Sequence, residues 1–425
     1  MADLLLRSVT LPDGSRADVR IADGRIAALE HAAPAAPAAP VRSGETAAPG
    51  EPAEVHDLDG YLLLPAPAEP HAHLDKALTA DLVPNPQGDL AGAIEQWMAR
   101  YPERTVAEIT GRARRAALAG VANGATAIRT HVDINDGIGL QAVEALLAVK
   151  EELAPLLDLQ LVGLVGRPVT GPEGRPNRDL LLAGLDAGVD VVGGCPHLDA
   201  DPQAATDFCL EVAAERGLPL DLHMDEHLRP AALDLEYLAR RVLALGVTGV
   251  TGVTASHCCS LGVQDVPTQR RVAEAVAAAG ISVVTLPQTN LYLQARDERR
   301  SPARGLTAVA SLLEAGANVA GGADNLQDPF NTVGRADPLE TASLLVMAAH
   351  LGAEQAYRAV SGAVRHALGL APVAVEVGAP AELLAVRAGT VREAIAFAPA
   401  DRVVTHRGRV VASTTTTTTF PRSWA

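Results

Sequence analysis

Apolar and polar positions along this chain alternate in two rhythms. Near the N-terminus, residues 4–9, 17–21 and 25–29 read as short strands divided by Asp13-Gly14 and Asp23-Gly24 turns. Further on, strand-like runs at 62–67, 125–132, 158–165, 189–193, 218–223, 250–257, 282–286 and 319–323 are separated by stretches rich in Ala, Leu, Glu and Arg. Those stretches, at 105–120, 137–153, 177–187, 202–216, 230–246, 266–279 and 306–315, read as helices, and several stop at glycine as helix C-termini favour. Eight strands alternating with helices predict a parallel (β/α)8 TIM barrel with its functional face at the C-terminal strand ends. A doubly wound sheet would want a glycine-rich phosphate loop after its first strand, where this chain has His71-Ala72-His73. Residues 381–386 and 402–412 again read as strands, with Arg407-Gly408 at a turn, and 414–419 as a frayed tail. The Ala/Pro-rich stretch 31–52 cannot bury a patterned face and reads as a surface loop.

Composition narrows the class. At 425 residues the chain can enclose a whole barrel, and 48% hydrophobic content suits a soluble enzyme. No run is long enough to span a membrane, and no basic-then-apolar leader opens the sequence, so a cytoplasmic protein without a membrane partner is expected. A net charge of −16 disfavours nucleic acid. Cys195, Cys209, Cys258 and Cys259 form no disulfide framework or C-x-x-C metal spacing and read as small buried residues. A homo-oligomer stays open.

The chemistry gathers at the strand ends. His71 and His73 stand two apart, so on a strand both imidazoles face the same side. His223 ends the run at 218–223, His257 ends 250–257, and Asp324 follows 319–323. Neutral imidazoles with one carboxylate suit a single divalent ion (Fe²⁺ or Zn²⁺, with Mn²⁺ also compatible) and a water activated beside it. Glu226, three residues past His223, can reach the same mouth as a non-ligating proton shuttle. His131 and His197 read as structural hydrogen-bonding residues, His197 also placed where it could line the pocket, and His227 reads as solvent-facing. Asp75 and Lys76 read as a local ion pair, and Lys150 as part of an exposed helix face.

These residues carry a resemblance to the cytosine deaminase branch of the amidohydrolase superfamily, over most of 58–413. It rests on Glu69-Pro70-His71-Ala72-His73-Leu74-Asp75, Arg129-Thr130-His131-Val132-Asp133, Asp158-Leu159-Gln160, His223-Met224-Asp225-Glu226, Thr254-Ala255-Ser256-His257, and Asp324 through Asp328-Pro329. The resemblance implies one metal held by His71, His73, His223 and Asp324. It further implies that His257 holds the attacking water, Asp324 takes its proton and Glu226 shuttles protons. It also implies a small β-sandwich built from both chain ends: 1–64 and 379–425 around a barrel at 65–378. Binuclear relatives often carry a carboxylated lysine after strand four. Here that place reads Gly193-Gly194-Cys195-Pro196-His197, and Lys76 and Lys150 are the chain's only lysines.

The expected reaction is hydrolysis of a C–N bond in a cyclic amidine or amide, with deamination of a nitrogen heterocycle foremost. Amidohydrolysis of an N-alkyl triazine is the alternative. A non-catalytic metal-binding barrel fits poorly, because Glu226 and every ligand are present. The pocket departs from cytosine deaminases. Gly166 and Arg167 stand where those enzymes place a glutamine, Asn325 replaces an aspartate and Phe330 a tryptophan. Such exchanges change which small heterocyclic substrate fits, and Arg167 suits an anionic one.

Overall fold

The computed structural model describes residues 3–31, 54–246 and 252–421. The Ala/Pro-rich stretch, apart from His31, and the start of the expected strand at 250–257 lie outside them. Two eight-stranded sheets carry the structure. The first joins both chain ends. Its strands are β1 (Leu4–Thr10), β2 (Arg16–Ala22), β3 (Arg25–His31), β4 (Glu54–Asp57) and β5 (Leu62–Pro65) from the N-terminal side, with β14 (Leu383–Val386), β15 (Arg402–His406) and β16 (Arg409–Thr414). Their order is β16-β15-β14-β5-β1-β2-β3, with β4 beside β1.

The second sheet is the barrel: β6 (Glu69–Ala72), β7 (Ala127–Ile134), β8 (Asp158–Val165), β9 (Val191–Gly194), β10 (Leu220–Met224), β11 (Val253–His257), β12 (Ser282–Thr285) and β13 (Val319–Gly321). These run parallel in sequence order. A bridge between Ala72 and Asp324 closes the ring, with Asp324 N–H donating to the His71 carbonyl at 3.0 Å.

One expectation is corrected. The run at 62–67 is not the first barrel strand: Leu62–Pro65 pairs with β14 in the terminal sheet, and the barrel opens at Glu69. The cause is burial on both faces. Leu63 packs in the core of the terminal sheet, while Leu62 and Leu64 join the barrel's outer core, so the run looks as apolar as a barrel strand. The tail is tied down at its start, while 415–419 are exposed and outside any element. Thr414 ends β16, and Thr416 N–H donates to Asp401 Oδ1 at 3.0 Å.

Seven helices occupy the expected windows: Val106–Ala122, Gln141–Leu153, Arg175–Ala187, Pro202–Arg216, Asp234–Leu245, Val266–Ala278 and Val309–Glu314. Short helices that periodicity did not announce include Leu90–Met98 beside the barrel mouth, Pro287–Leu293, Pro338–Ala348 and Val391–Phe397. On the barrel strands Leu220, Leu222, Val253, Ala255 and Val283 pack outward in the hydrophobic core. The alternate positions are polar and buried: Arg129, His131 and Asp133 on β7, Asp221 and His223 on β10, Thr254 and Ser256 on β11. Register sets Asp221 beside Thr254 and His223 beside Ser256. A barrel interior is ordinarily filled by branched apolar side chains; here polar groups fill this part of it.

Arg402 on β15 ties the terminal sheet to the barrel. It donates to both Asp337 oxygens at 2.8 Å and to the Asn123 carbonyl at 2.7 Å, and Asp337 caps the helix Pro338–Ala348. Both side chains are buried. Arg402→Met should therefore strand a buried carboxylate and cost about 3–5 kcal/mol, read as a lower denaturant midpoint. An unchanged midpoint would mean that the pair does not join the two parts.

Candidate metal centre and active site

The metal candidates converge because the strands that carry them are neighbours around the ring. His71 Nε2 lies 3.2 Å from His223 Nε2, and His223 Nε2 lies 3.3 Å from His73 Nε2. Asp324 Oδ1 stands 3.3 Å from His73 Nε2 and 3.6 Å from His71 Nε2. Within the described residues His71, His73 and Asp324 form one group able to hold a metal, and His71, His131 and His223 another. All are buried.

Electrostatics favours a cation here. Burial, reinforced by neighbouring imidazoles and cations, holds His71, His73 and His223 well below the usual histidine range. Burial, followed by the charges of Glu226, Asp328 and Glu69, drives Asp324 well above the usual carboxylate range. Both Asp324 oxygens, His223 Nδ1 and His257 Nε2 are buried without a hydrogen-bond partner among the described residues. Neutral imidazole is the ligating form, and an enclosed carboxylate among imidazole lone pairs is stabilised by a bound cation. The donor set fits a divalent ion.

Backbone strain helps aim these groups. Asp225, His257 and Asp324 adopt φ of +49°, +67° and +68°. Each costs a non-glycine residue on the order of 1–3 kcal/mol and turns the chain sharply at a strand end. The Asp225 carboxylate takes the backbone N–H groups of Asp234 and Leu235, each at 2.9 Å, which leaves Glu226 to enter the mouth. Glu226 is buried, and burial pushes its carboxyl up to about 8. Its Oε2 lies 3.7 Å from His257 Nε2, which in turn is 3.9 Å from Asp324 Oδ2. The Asn290 amide faces His257 Nδ1 at 3.0 Å.

An open cavity with about 1030 Å³ of empty space, counting the open solvent at its mouth, leads down to His73, His223, Glu226, His257 and Asp324. Its wall includes Leu90, Ile94, Trp97, Tyr101 and Phe330. Asp133 organises that wall by accepting from Lys76 Nζ at 2.7 Å, Trp97 Nε1 at 2.7 Å and the Tyr101 hydroxyl at 3.0 Å. Lys76 is thus bound chiefly to Asp133, with Asp75 at 3.4 Å. Asp133, Trp97 and Tyr101 were not legible as site residues.

Other expectations fare differently. Arg167 lines the cavity at its exposed rim. Gly166 lines it through backbone alone, since a Cβ there would stand 2.3 Å from the Asn135 Cβ. Asn325 is buried with its amide spent on Asp328 Oδ2 at 2.8 Å. His131 does not hydrogen-bond as expected. Neither ring nitrogen has a partner among the described residues, and its ring lies 3.9 Å from that of His71. His197 does make the expected hydrogen bond, its Nδ1 lying 3.0 Å from the His223 carbonyl oxygen, and it is not among the residues lining that cavity. His227 is half-buried, and Lys150 pairs with Asp190 at 2.6 Å.

A parallel barrel with histidines and an aspartate at its strand ends defines a class, and the sequence agrees: the amidohydrolase family matches residues 54–413, and the chain belongs to it. It is 33% identical over 401 residues to the pterin deaminase of Rhizobium rhizogenes, covering 93% of this chain and 88% of that one. The structure of 5-methylcytosine deaminase from Klebsiella pneumoniae with 5-fluorocytosine aligns at a TM-score of 0.85, with 28% identity over 99% of this chain and 100% of that one. N-isopropylammelide isopropylaminohydrolase from Burkholderia multivorans aligns at 0.81, with 27% identity over 97% and 99%. Among the described residues no helix is long and apolar enough to cross a membrane.

Elemental analysis of active protein should find about one divalent ion per chain, lost together with activity in His71→Ala and Asp324→Ala. Two tightly held ions would mean that the His71–His131–His223 group is filled as well.

Proposed function

We propose that this protein hydrolytically deaminates an amino-substituted nitrogen heterocycle larger than cytosine, of about pterin size. The observation that carries the reading is that His257 Nε2 lies 3.7 Å from Glu226 Oε2 and 3.9 Å from Asp324 Oδ2, with all three residues lining one cavity. His71, His73, His223 and Asp324 would hold one divalent ion, Fe²⁺, Zn²⁺ or Mn²⁺, which lowers the pKa of a water at the site. His257 and Asp324 hold that water against the ring, and Asp324 accepts its proton as oxygen attacks the carbon bearing the amino group. Glu226 keeps its own proton at pH 7, because burial has raised its pKa to about 8. It can therefore protonate the ring nitrogen as the carbon becomes tetrahedral, then take the proton of the new hydroxyl group and pass it to the departing amine. Ammonia leaves, and a carbonyl replaces the amidine carbon's amino group.

Three features support the larger substrate. The cavity has an extended aromatic and aliphatic wall, Arg167 offers its rim a cation for an anionic substituent, and the pterin deaminase likeness covers almost the whole chain. The likeness to isopropylammelide hydrolases supports a second reading, in which an alkylamine leaves a triazine by the same proton relay.

Glu226→Gln should keep fold and metal yet lose turnover by roughly a hundredfold or more, because the amide cannot relay a proton. Near-normal turnover would make Glu226 structural. In a panel of pyrimidines, pterins and triazines assayed for released ammonia or amine, a pterin should exceed cytosine by at least about a hundredfold in kcat/KM, the size of two lost hydrogen bonds to a buried ring edge. Cytosine turned over as well as any other ring would overturn the assignment.

A further inference from the structure

Beneath the metal candidates lies a buried polar chain that the mechanism above does not use. Ser256 Oγ stands 2.9 Å from His71 Nδ1 and 3.1 Å from Asp221 Oδ1. Asp221 Oδ2 accepts from Arg129 Nη1 at 2.9 Å. Arg129 is itself fixed by Gln160 Oε1 at 3.0 Å and Thr254 Oγ1 at 3.2 Å. Arg129, Asp221 and Ser256 are essentially closed to solvent, at 1%, 0% and 0% exposure. Replacing a buried ion pair by apolar side chains of similar volume is often neutral or stabilising, so stability alone is a weak reason for one to fill the barrel here.

Counting protons supplies a reason. A serine hydroxyl has one proton to give. The Asp221 carboxylate, paired with Arg129, can only accept, so Ser256 donates to it. Ser256 then has only lone pairs left for His71, and His71 Nδ1 must carry the imidazole proton. A neutral imidazole carries just one, so Nε2 is bare, and Nε2 is the atom that faces His223 and Asp324. We infer that Arg129, Asp221 and Ser256 form a positioning relay that locks His71 in the Nδ1–H tautomer and so readies its Nε2 to bind metal. None of the three touches the ion; they act through His71, as outer partners of metal-bound histidines do.

The inference rests on the reading of His71 as a metal ligand, so the experiment separates the two. Zinc affinity is measured by chelator competition on the full chain for wild type, Ser256→Ala, Ser256→Thr and His71→Ala. Nitrogen-15 NMR of the metal-free, histidine-labelled protein reports the His71 tautomer, its signals identified by their loss in His71→Ala. Ser256→Ala should bind zinc about 10–100-fold more weakly and release the tautomer. Ser256→Thr, which keeps the hydroxyl, should restore both. His71→Ala should lose tight zinc binding altogether. Zinc affinity within about twofold of wild type in Ser256→Ala would overturn the relay, as would an Nε2–H tautomer of His71 in the wild type. Tight zinc binding by His71→Ala would instead remove the ligand assignment, and the relay with it.

Discussion

The structure turns on one electrostatic constraint. Three imidazole Nε2 atoms and a carboxylate oxygen meet at separations of 3.2 to 3.6 Å, all on buried side chains. Burial and mutual repulsion keep those imidazoles neutral, so their lone pairs face one another and Asp324. A divalent cation turns that repulsion into attraction. The barrel's seam serves the same arrangement, because the Asp324 N–H closes the ring onto His71 while the Asp324 carboxylate turns inward at positive φ.

Two layers divide the labour around that centre. The strand ends carry the clustered histidines, Glu226 and Asp324, set by register and by the polar interior beneath them. The cavity wall comes largely from connections, notably the helix Leu90–Met98 held through Trp97 to Asp133. Loops vary on a stable barrel, so reaction class and substrate choice can change separately. A member of the amidohydrolase family can thus keep the groups at its strand ends while its wall changes.

Much of this was legible in the sequence. The alternation of strands and helices reveals the barrel because parallel strands and amphipathic helices have distinct periods. The strand-end histidines were visible because a strand fixes which side a residue faces. Tertiary context hid the rest. Leu62–Pro65 looks like a barrel strand because it is buried on both faces, and only pairing with β14 assigns it elsewhere. Asp133 reads as one more carboxylate until Lys76, Trp97 and Tyr101, from three separate segments, converge on it. Gly166 marks a missing side chain in the sequence, whereas in the fold it marks the close approach of Asn135.

The most direct test of the central claim is an anomalous difference map from crystals of the protein grown with zinc, collected above the zinc edge. A single peak is predicted, bonded at about 2.0–2.2 Å to His71, His73, His223 and Asp324, with His131 beyond bonding distance. A map with no peak among those four residues, or with zinc bonded to His131 in place of His73 and Asp324, would contradict the account.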